Sequence, residues 1–437
     1  MLKPTQNVAN NDFRNYLAPY FAFFIGIKSP ILTTRFAWRY FKSKKSTNAI
    51  NIISMISMVA IALVTAALVV VLSVFNGFED MVKTLFGDFY ADIKIAPAAG
   101  KWLNNSEYII KKTITIPGIK KAEAVLEERA ILLDEEDKSI VWLKGVSTTY
   151  GAISGVPRHL IRGNFEIGTK EKPMIVLGAG IENALQVNAG QAIFPLTVYL
   201  PNRSAVNFSD PLEALHSANA LPSGSFVIQQ DFDNQYAFTS KDFLQYMLDL
   251  SPNQASAIEI FAQTGVDINH IKKELQAQLG NQYLVKTRFE QNQNLFAAMQ
   301  TERIIIYAVA FLILIIAAFN IISSLTMTVL EKQQDIAVLQ TLGMPSGGIS
   351  AIFLKLGALL AGVGGAVGFV LGVLVCLGQQ HFHWVKLAGN SFIIDYYPVA
   401  MRPVDFAVVG SIVLTIAFAS GWLPSRKAAK TAYSLKS

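Results

Sequence analysis

Four stretches of this sequence carry no Asp, Glu, Lys or Arg: Ser46–Phe78, Ile304–Leu330, Leu356–Val385 and Phe406–Ser425. A helix needs about 20 mostly apolar residues to cross a bilayer, and a helix at the surface of a soluble domain acquires charge on its polar face well before that length. The expectation is four spans, at 46–78, 304–330, 356–380 and 406–425. Residues are 52% hydrophobic and only 16% charged, against about 25% charged in soluble domains. This excludes an ordinary soluble enzyme, a disordered chain and a nucleic-acid binder. The single cysteine, Cys376, excludes a disulfide framework and a multi-cysteine metal site.

The formal charge of +6 is unevenly spread: +7 on residues 1–45, −5 on 79–303, zero on 331–355 and 386–405, and +4 on 426–437. The positive-inside rule places both termini in the cytoplasm, and an even number of spans requires both termini on one side. Residues 79–303 are then an external domain, 331–345 a cytoplasmic element, 386–405 a small external loop and 426–437 a cytoplasmic tail. In 1–45, the run Arg35-Phe36-Ala37-Trp38-Arg39-Tyr40-Phe41-Lys42 mixes cations with aromatics, as an amphipathic helix lying on anionic lipid does. A flexible basic leader is the alternative.

Residues 79–303 are long enough for two subdomains. Ala91–Ile95, Ile140–Leu143 and Ala192–Leu200 alternate as strands do. Ser106–Thr115, Glu182–Gln186 and Asp267–Leu279 read as helices, the last with Ile268, Ile271, Leu275 and Leu279 on one face. The fold class is therefore membrane α-helical, with a large α+β domain between the first two spans. Helix-compatible runs at Glu79–Leu85 and Glu290–Glu302 adjoin these spans and predict stalks. Pro201–Pro222, with three prolines, reads as a long loop: an exposed partner-binding segment or a disordered insertion.

No catalytic constellation appears. His381 and His383 lie at a span boundary without an evident third ligand, so no metal site is assigned. Gly100-Lys101 lacks the upstream glycine of a Walker A loop, so ATP chemistry must come from another chain. Gly364, Gly368 and Gly372 recur every four residues, giving one small face for close helix packing within the chain or between protomers.

Glu331–Pro345 forms one unit. Ile336, Leu339 and Leu342 share a helical face, Glu331, Lys332 and Asp335 occupy the first turn, and Gly343 and Pro345 stop the helix. A helix resting on lipid would carry a more cationic face, so docking to a cytoplasmic partner is the preferred reading.

The runs Ser43–Ser54 and Val71-Leu72-Ser73-Val74-Phe75-Asn76-Gly77-Phe78-Glu79 resemble the entry and exit of the first span in lipoprotein-releasing permeases, the LolC/LolE family. Phe319–Met327, Glu331-Lys332, Asp335–Leu339 and Ser391–Val399 resemble the same family, and the likeness covers residues 32–437. The 331–345 stretch by itself indicates the wider MacB/FtsX-like superfamily.

The resemblance implies a non-catalytic ABC transporter permease in the inner membrane of a Gram-negative bacterium, its external domain periplasmic and MacB-like. It extracts lipoproteins from the outer leaflet and passes them to a LolA-like carrier. The implied partners are a LolD-like ATPase that binds the ATP and Mg, and a second protomer, identical or paralogous. The alternative is an FtsX/MacB-type permease acting on another periplasmic partner or lipidic substrate. In this scheme Glu331, Lys332, Asp335, Ile336, Leu339, Leu342 and Gly343 form the coupling helix on the ATPase. Pro201, Val206, Phe208, Pro211, Leu212, Leu215 and Pro222 form a hook for the carrier. A cavity for acyl chains would be lined by Ile52, Met55, Ile56 and Val59 of the first span and Ile316, Asn320 and Ile321 of the second.

Overall fold

The structure, a computed structural model, describes residues 30–42, 48–202, 215–387 and 395–430. In chain order its elements are α1 (Pro30–Lys42), α2 (Asn48–Phe89), β1 (Ile93–Pro97), α3 (Ser106–Ile114), β2 (Ile119–Asp134), β3 (Asp137–Val146), β4 (Leu160–Gly163), β5 (Met174–Gly178), α4 (Ala179–Ala184), β6 (Leu196–Pro201), β7 (Leu215–Phe226), α5 (Gln230–Asp233), β8 (Tyr236–Ser240), α6 (Lys241–Met247), β9 (Ala257–Ala262), α7 (Ile268–Leu279), β10 (Tyr283–Thr287), α8 (Arg288–Gln291), α9 (Gln293–Glu331), α10 (Gln333–Thr341), α11 (Ser346–Phe382) and α12 (Pro403–Lys430). They fall into two compact units. One takes the described residues up to Phe78, Thr301–Trp384 and those from Pro398 onward; the other takes Glu79–Gln300 and the described part of Val385–Tyr397.

In the first unit, α2, α9, α11 and α12 are each long and apolar enough to cross a membrane. Each carries all or most of one of the four charge-free stretches and extends beyond it over charged residues. At 42 and 39 residues, α2 and α9 far exceed the length a span needs. Helix α11 starts ten residues before the expected span, at Ser346. The charge that marked the sequence boundary, Lys355, is accommodated because its Nζ donates to the hydroxyls of Thr33 (2.7 Å) and Thr34 (2.9 Å) on α1.

The glycine stripe on α11 packs within the chain, against α2. A Cβ on Gly368 would come within 2.4 Å of the Ala62 carbonyl oxygen. One on Gly364 would come within 2.8 Å of the Met58 oxygen, and one on Gly372 within 2.8 Å of Val69 Cβ. Backbone approach this close needs small residues. The motif residues at the end of the first span anchor the first turn of α12 and the segment before it. Asn76 Nδ2 donates to Asp405 (2.5 Å), the Ala400 N–H donates to the Ser73 carbonyl (2.8 Å), and a Cβ on Gly77 would strike the Pro398 carbonyl oxygen at 2.3 Å.

In the second unit, the sixteen-residue β2 belongs to two layers. Its first half pairs with β9 in an antiparallel layer ordered β10-β1-β9-β2. Helices α3 and α7 contribute to the core of this layer, Ile109 packing with Ile271, Leu275, Ile93 and Ile260. The expected face of α7 is the buried one, and Asp267 caps it by accepting from the Asn269 N–H. The second half of β2 enters a closed ring, β2-β3-β8-β5-β7-β6, because β6 pairs with both β2 and β7. The ring is filled by Leu126, Leu132, Leu143, Leu177, Val198 and their neighbours.

The expectation of a loop throughout Pro201–Pro222 is not met at its ends: Pro201 closes β6. Leu215–Pro222 belongs to β7, in register from Pro201↔Leu215 to Leu196↔Ala220. Few of its residues favour strands, but β7 is paired along both edges. Pro222 falls at a register shift against β5, where a ladder tolerates proline. Val206, Phe208, Pro211 and Leu212 lie outside the described residues.

Candidate functional site

Helix α10 ends as its sequence predicts. The Met344 N–H reaches the Leu339 carbonyl (2.9 Å), the Gly343 N–H reaches that of Gln340 (3.0 Å), and Gly343 has φ 89°. This is a Schellman closure, with glycine supplying the left-handed residue.

The face presented by α10 differs from the expected one. Ile336 and Leu339 are not on a docking surface with Leu342. They are buried in the chain's own core with Ala37 and Tyr40 of α1 and Ile349, Ile352 and Phe353 of α11. The amphipathic stripe is satisfied internally because α1 and α11 flank this side of the helix. Leu342 and Val338 are 62% and 58% exposed. They border a groove of about 660 Å³ between α10 and α1, also lined by Trp38, Arg39, Lys42 and Lys332. Lys332 Nζ lies 3.7 Å from Asp335 and over the Tyr40 ring. Burial, then the adjacent Asp335 carboxylate, push the Tyr40 hydroxyl up to about 12. Asp335, exposed where it lines the groove, is thus held by Tyr40 and Lys332, and Glu331 closes α9 just before it.

The residues assigned to an acyl cavity divide. Met55, Ile56, Val59, Ile316 and Asn320 are exposed on α2 and α9, which meet where Ser57 Oγ donates to the Asn320 carbonyl (3.3 Å). Ile321 does not line an open surface: it is fully buried with Leu325 and Ile61, because it lies on the face of α9 turned toward the other spans. The side chain of Ile52 is outside the described set.

The external unit contains a site that the sequence reading missed. Lys144 on β3 is fully buried, its Nζ 2.7 Å from Glu259 on β9 and 3.0 Å from the Tyr150 hydroxyl, which itself donates to Glu259 (2.8 Å). Glu127 on β2 lies 3.9 Å from Lys144 and pairs with Lys94 on β1 at 2.6 Å. Burial disfavours the charge on Lys144, but Glu259 and Glu127 more than compensate and raise its pKa. Burial likewise opposes the charge on Glu127, yet Lys94 and Lys144 hold it below the usual carboxylate range. The local signal was weak: β3 is buried on both faces over Leu143–Val146, but the partner that makes a buried lysine tolerable comes from 115 residues away.

Beside this network, the end of α2 is held by aromatic rings. Phe89 stacks on Phe232 at 4.1 Å and meets Tyr236 and Phe238 edge-on. Asp88 pairs with Arg158 and His159. Asp233, next to Phe232, accepts from the Ile228 N–H (2.8 Å), and burial pushes its carboxyl up to about 6 despite that bond. A carboxyl raised in the fold contributes stability that is complete below its unfolded value near 4 and lost as pH rises through about 6. Between pH 4 and 6.5 the melting temperature of the wild-type protein should therefore fall relative to Asp233→Asn. The difference should correspond to roughly 2–3 kcal/mol. Parallel thermal scans of the two proteins check this, and the direction is specific, because Glu123 and Glu127 are shifted the opposite way.

Comparison with known proteins matches residues 307–432 to the FtsX-like permease C-terminal model and residues 54–278, more than half of the chain, to the MacB-like periplasmic core domain. The chain belongs to the LolC/LolE family of MacB/FtsX-like permeases. It is 28% identical to the lipoprotein-releasing system transmembrane protein LolC of Neisseria meningitidis serogroup B, covering 90% of this chain and 95% of that one. It is 26% identical to LolE of Haemophilus influenzae (90% and 96%) and 23% identical to LolC of Xylella fastidiosa (90% and 95%). This LolC/LolE family member is a multi-pass ABC permease with a periplasmic-type domain between its first two spans.

Proposed function

We propose that this chain is the membrane subunit of a transporter that releases lipoproteins from the outer leaflet of the inner membrane to a soluble periplasmic carrier. A separate ATPase drives the release. The observation that carries this reading is the similarity to lipoprotein-releasing LolC and LolE proteins along at least nine-tenths of both chains. Withdrawing an acyl chain costs about 0.8 kcal/mol per buried CH₂, so a multiply acylated anchor requires coupling to ATP.

The exposed part of α10 and its groove, Asp335, Val338 and Leu342, are the proposed ATPase contact, in place of Ile336 and Leu339. The exposed residues Met55, Ile56, Val59, Ile316 and Asn320 become the proposed acyl-chain surface, one that a second protomer must close. Carrier binding is proposed at the segment that joins β6 to β7.

The test is reconstitution of the tagged permease, copurified with its ATPase, into proteoliposomes loaded with a triacylated lipoprotein. ATP together with a soluble LolA-like carrier should move the lipoprotein into the soluble fraction, and neither should suffice alone. Failure of release by an assembly that hydrolyses ATP would refute the substrate assignment.

A further inference from the structure

We propose that Lys144, Glu259 and Tyr150 are positioning residues that fix one angle between the two layers of the external domain and the end of α2, so that helix movement reaches both layers without slip.

The network touches every piece that must move together. Lys94 and Glu259 belong to the β10-β1-β9-β2 layer, and Glu127 lies on the strand that both layers share. Lys144 belongs to the ring. Phe89, in the last turn of α2, packs under it: the Lys144 ammonium stands 5.7 Å from its ring centre, 5.2 Å from that of Tyr150 and 5.9 Å from that of Phe238.

Stability alone is a poor reason for such an arrangement. A buried ion pair recovers little beyond its desolvation cost, and apolar residues of similar volume often serve as well or better. Apolar contacts are also non-directional, so two layers joined only by them can slide at little cost. A lysine bonded to both a carboxylate and a hydroxyl has one geometry that satisfies all three groups. Any slip leaves a buried charge unpaired. The network is therefore suited to holding an angle, and it does so where the spanning helix ends.

The test replaces the three groups together, Lys144→Met, Glu259→Met and Tyr150→Phe, leaving Glu127 paired with Lys94. Spin labels at exposed Ala277 on α7 and Lys138 on β3 report the angle between the layers in the full-length protein. The expected result is a folded variant whose label-to-label distance distribution is at least twice as broad as that of the wild type. An unchanged width overturns the proposal. If the triple variant fails to fold, Glu259→Gln, which weakens the pair while keeping its shape, is measured the same way, with smaller but definite broadening expected.

The transmission role rests on the proposed lipoprotein-release function and is read separately. In the reconstituted complex, lipoprotein released per ATP hydrolysed should fall at least fivefold while ATP turnover stays within twofold. Release per ATP equal to wild type, despite broadened distances, overturns that role. Absence of release by the wild-type complex instead refutes the function assignment and leaves the distance result standing.

Discussion

Gly368→Leu is expected to abolish recovery of folded protein from the membrane. The new Cβ would lie 2.4 Å from the Ala62 carbonyl oxygen and 2.6 Å from Thr65 Cβ. The first obstacle is backbone, which cannot rotate aside as a side chain can. Overpacking in a core typically costs 1–3 kcal/mol. Here the two spans must separate along their whole contact, since Gly364 and Gly372 also approach α2 to within 2.8 Å one turn to either side, so a cost of about 3 kcal/mol or more is expected. The comparison that isolates the effect is Gly362→Leu, on the same helix, where a Cβ meets nothing within 4 Å. Both changes add the same side chain and remove the same helix-weakening glycine. Monodisperse protein after detergent extraction should be lost for the first and undiminished for the second. Equal yields would mean that α11 does not pack on α2 through this stripe.

Much of the membrane unit was legible because its rule is severe. A charge within the hydrocarbon is expensive and the backbone there must bond internally, so the absence of charge between Ile304 and Leu330 carries the span almost unaided. The end of α10 was equally readable, since Gly343 must adopt a positive φ that other residues resist. The direction of the glycine stripe was not legible: spacing tells which residues share a face but not what lies opposite. The same limit accounts for Ile336 and Leu339. Their periodicity correctly gave an apolar face, while one of the two neighbours that cover it, α1, is almost 300 residues distant in sequence. Lys144 is the extreme case. Read locally it is a surface lysine on a strand, and only the pairing of β2 with both β9 and β3 brings Glu259 to it.

The buried and exposed faces of α10 give opposite expectations for one substitution. Ile336→Asp or Leu339→Asp places a carboxylate in the apolar cluster of Ala37, Tyr40, Ile349 and Phe353. An unpaired buried polar group costs several kcal/mol, and a charge costs more. These variants should lose the folded protein itself, so the absence of an ATPase from their preparations would say nothing about docking. Val338→Asp with Leu342→Asp changes only exposed positions, so span packing and thermal stability should stay near wild type. If the groove rim seats the ATPase, this double variant loses two apolar contacts and repels any acidic patch on the partner. Association should weaken by at least tenfold, the equivalent of about 1.4 kcal/mol. Titration of the purified ATPase onto detergent-solubilised permease measures this directly. Wild-type affinity in a folded Val338→Asp/Leu342→Asp protein would move the docking surface away from α10, whereas loss of affinity with unchanged stability would assign it to the half of the helix that the core leaves uncovered.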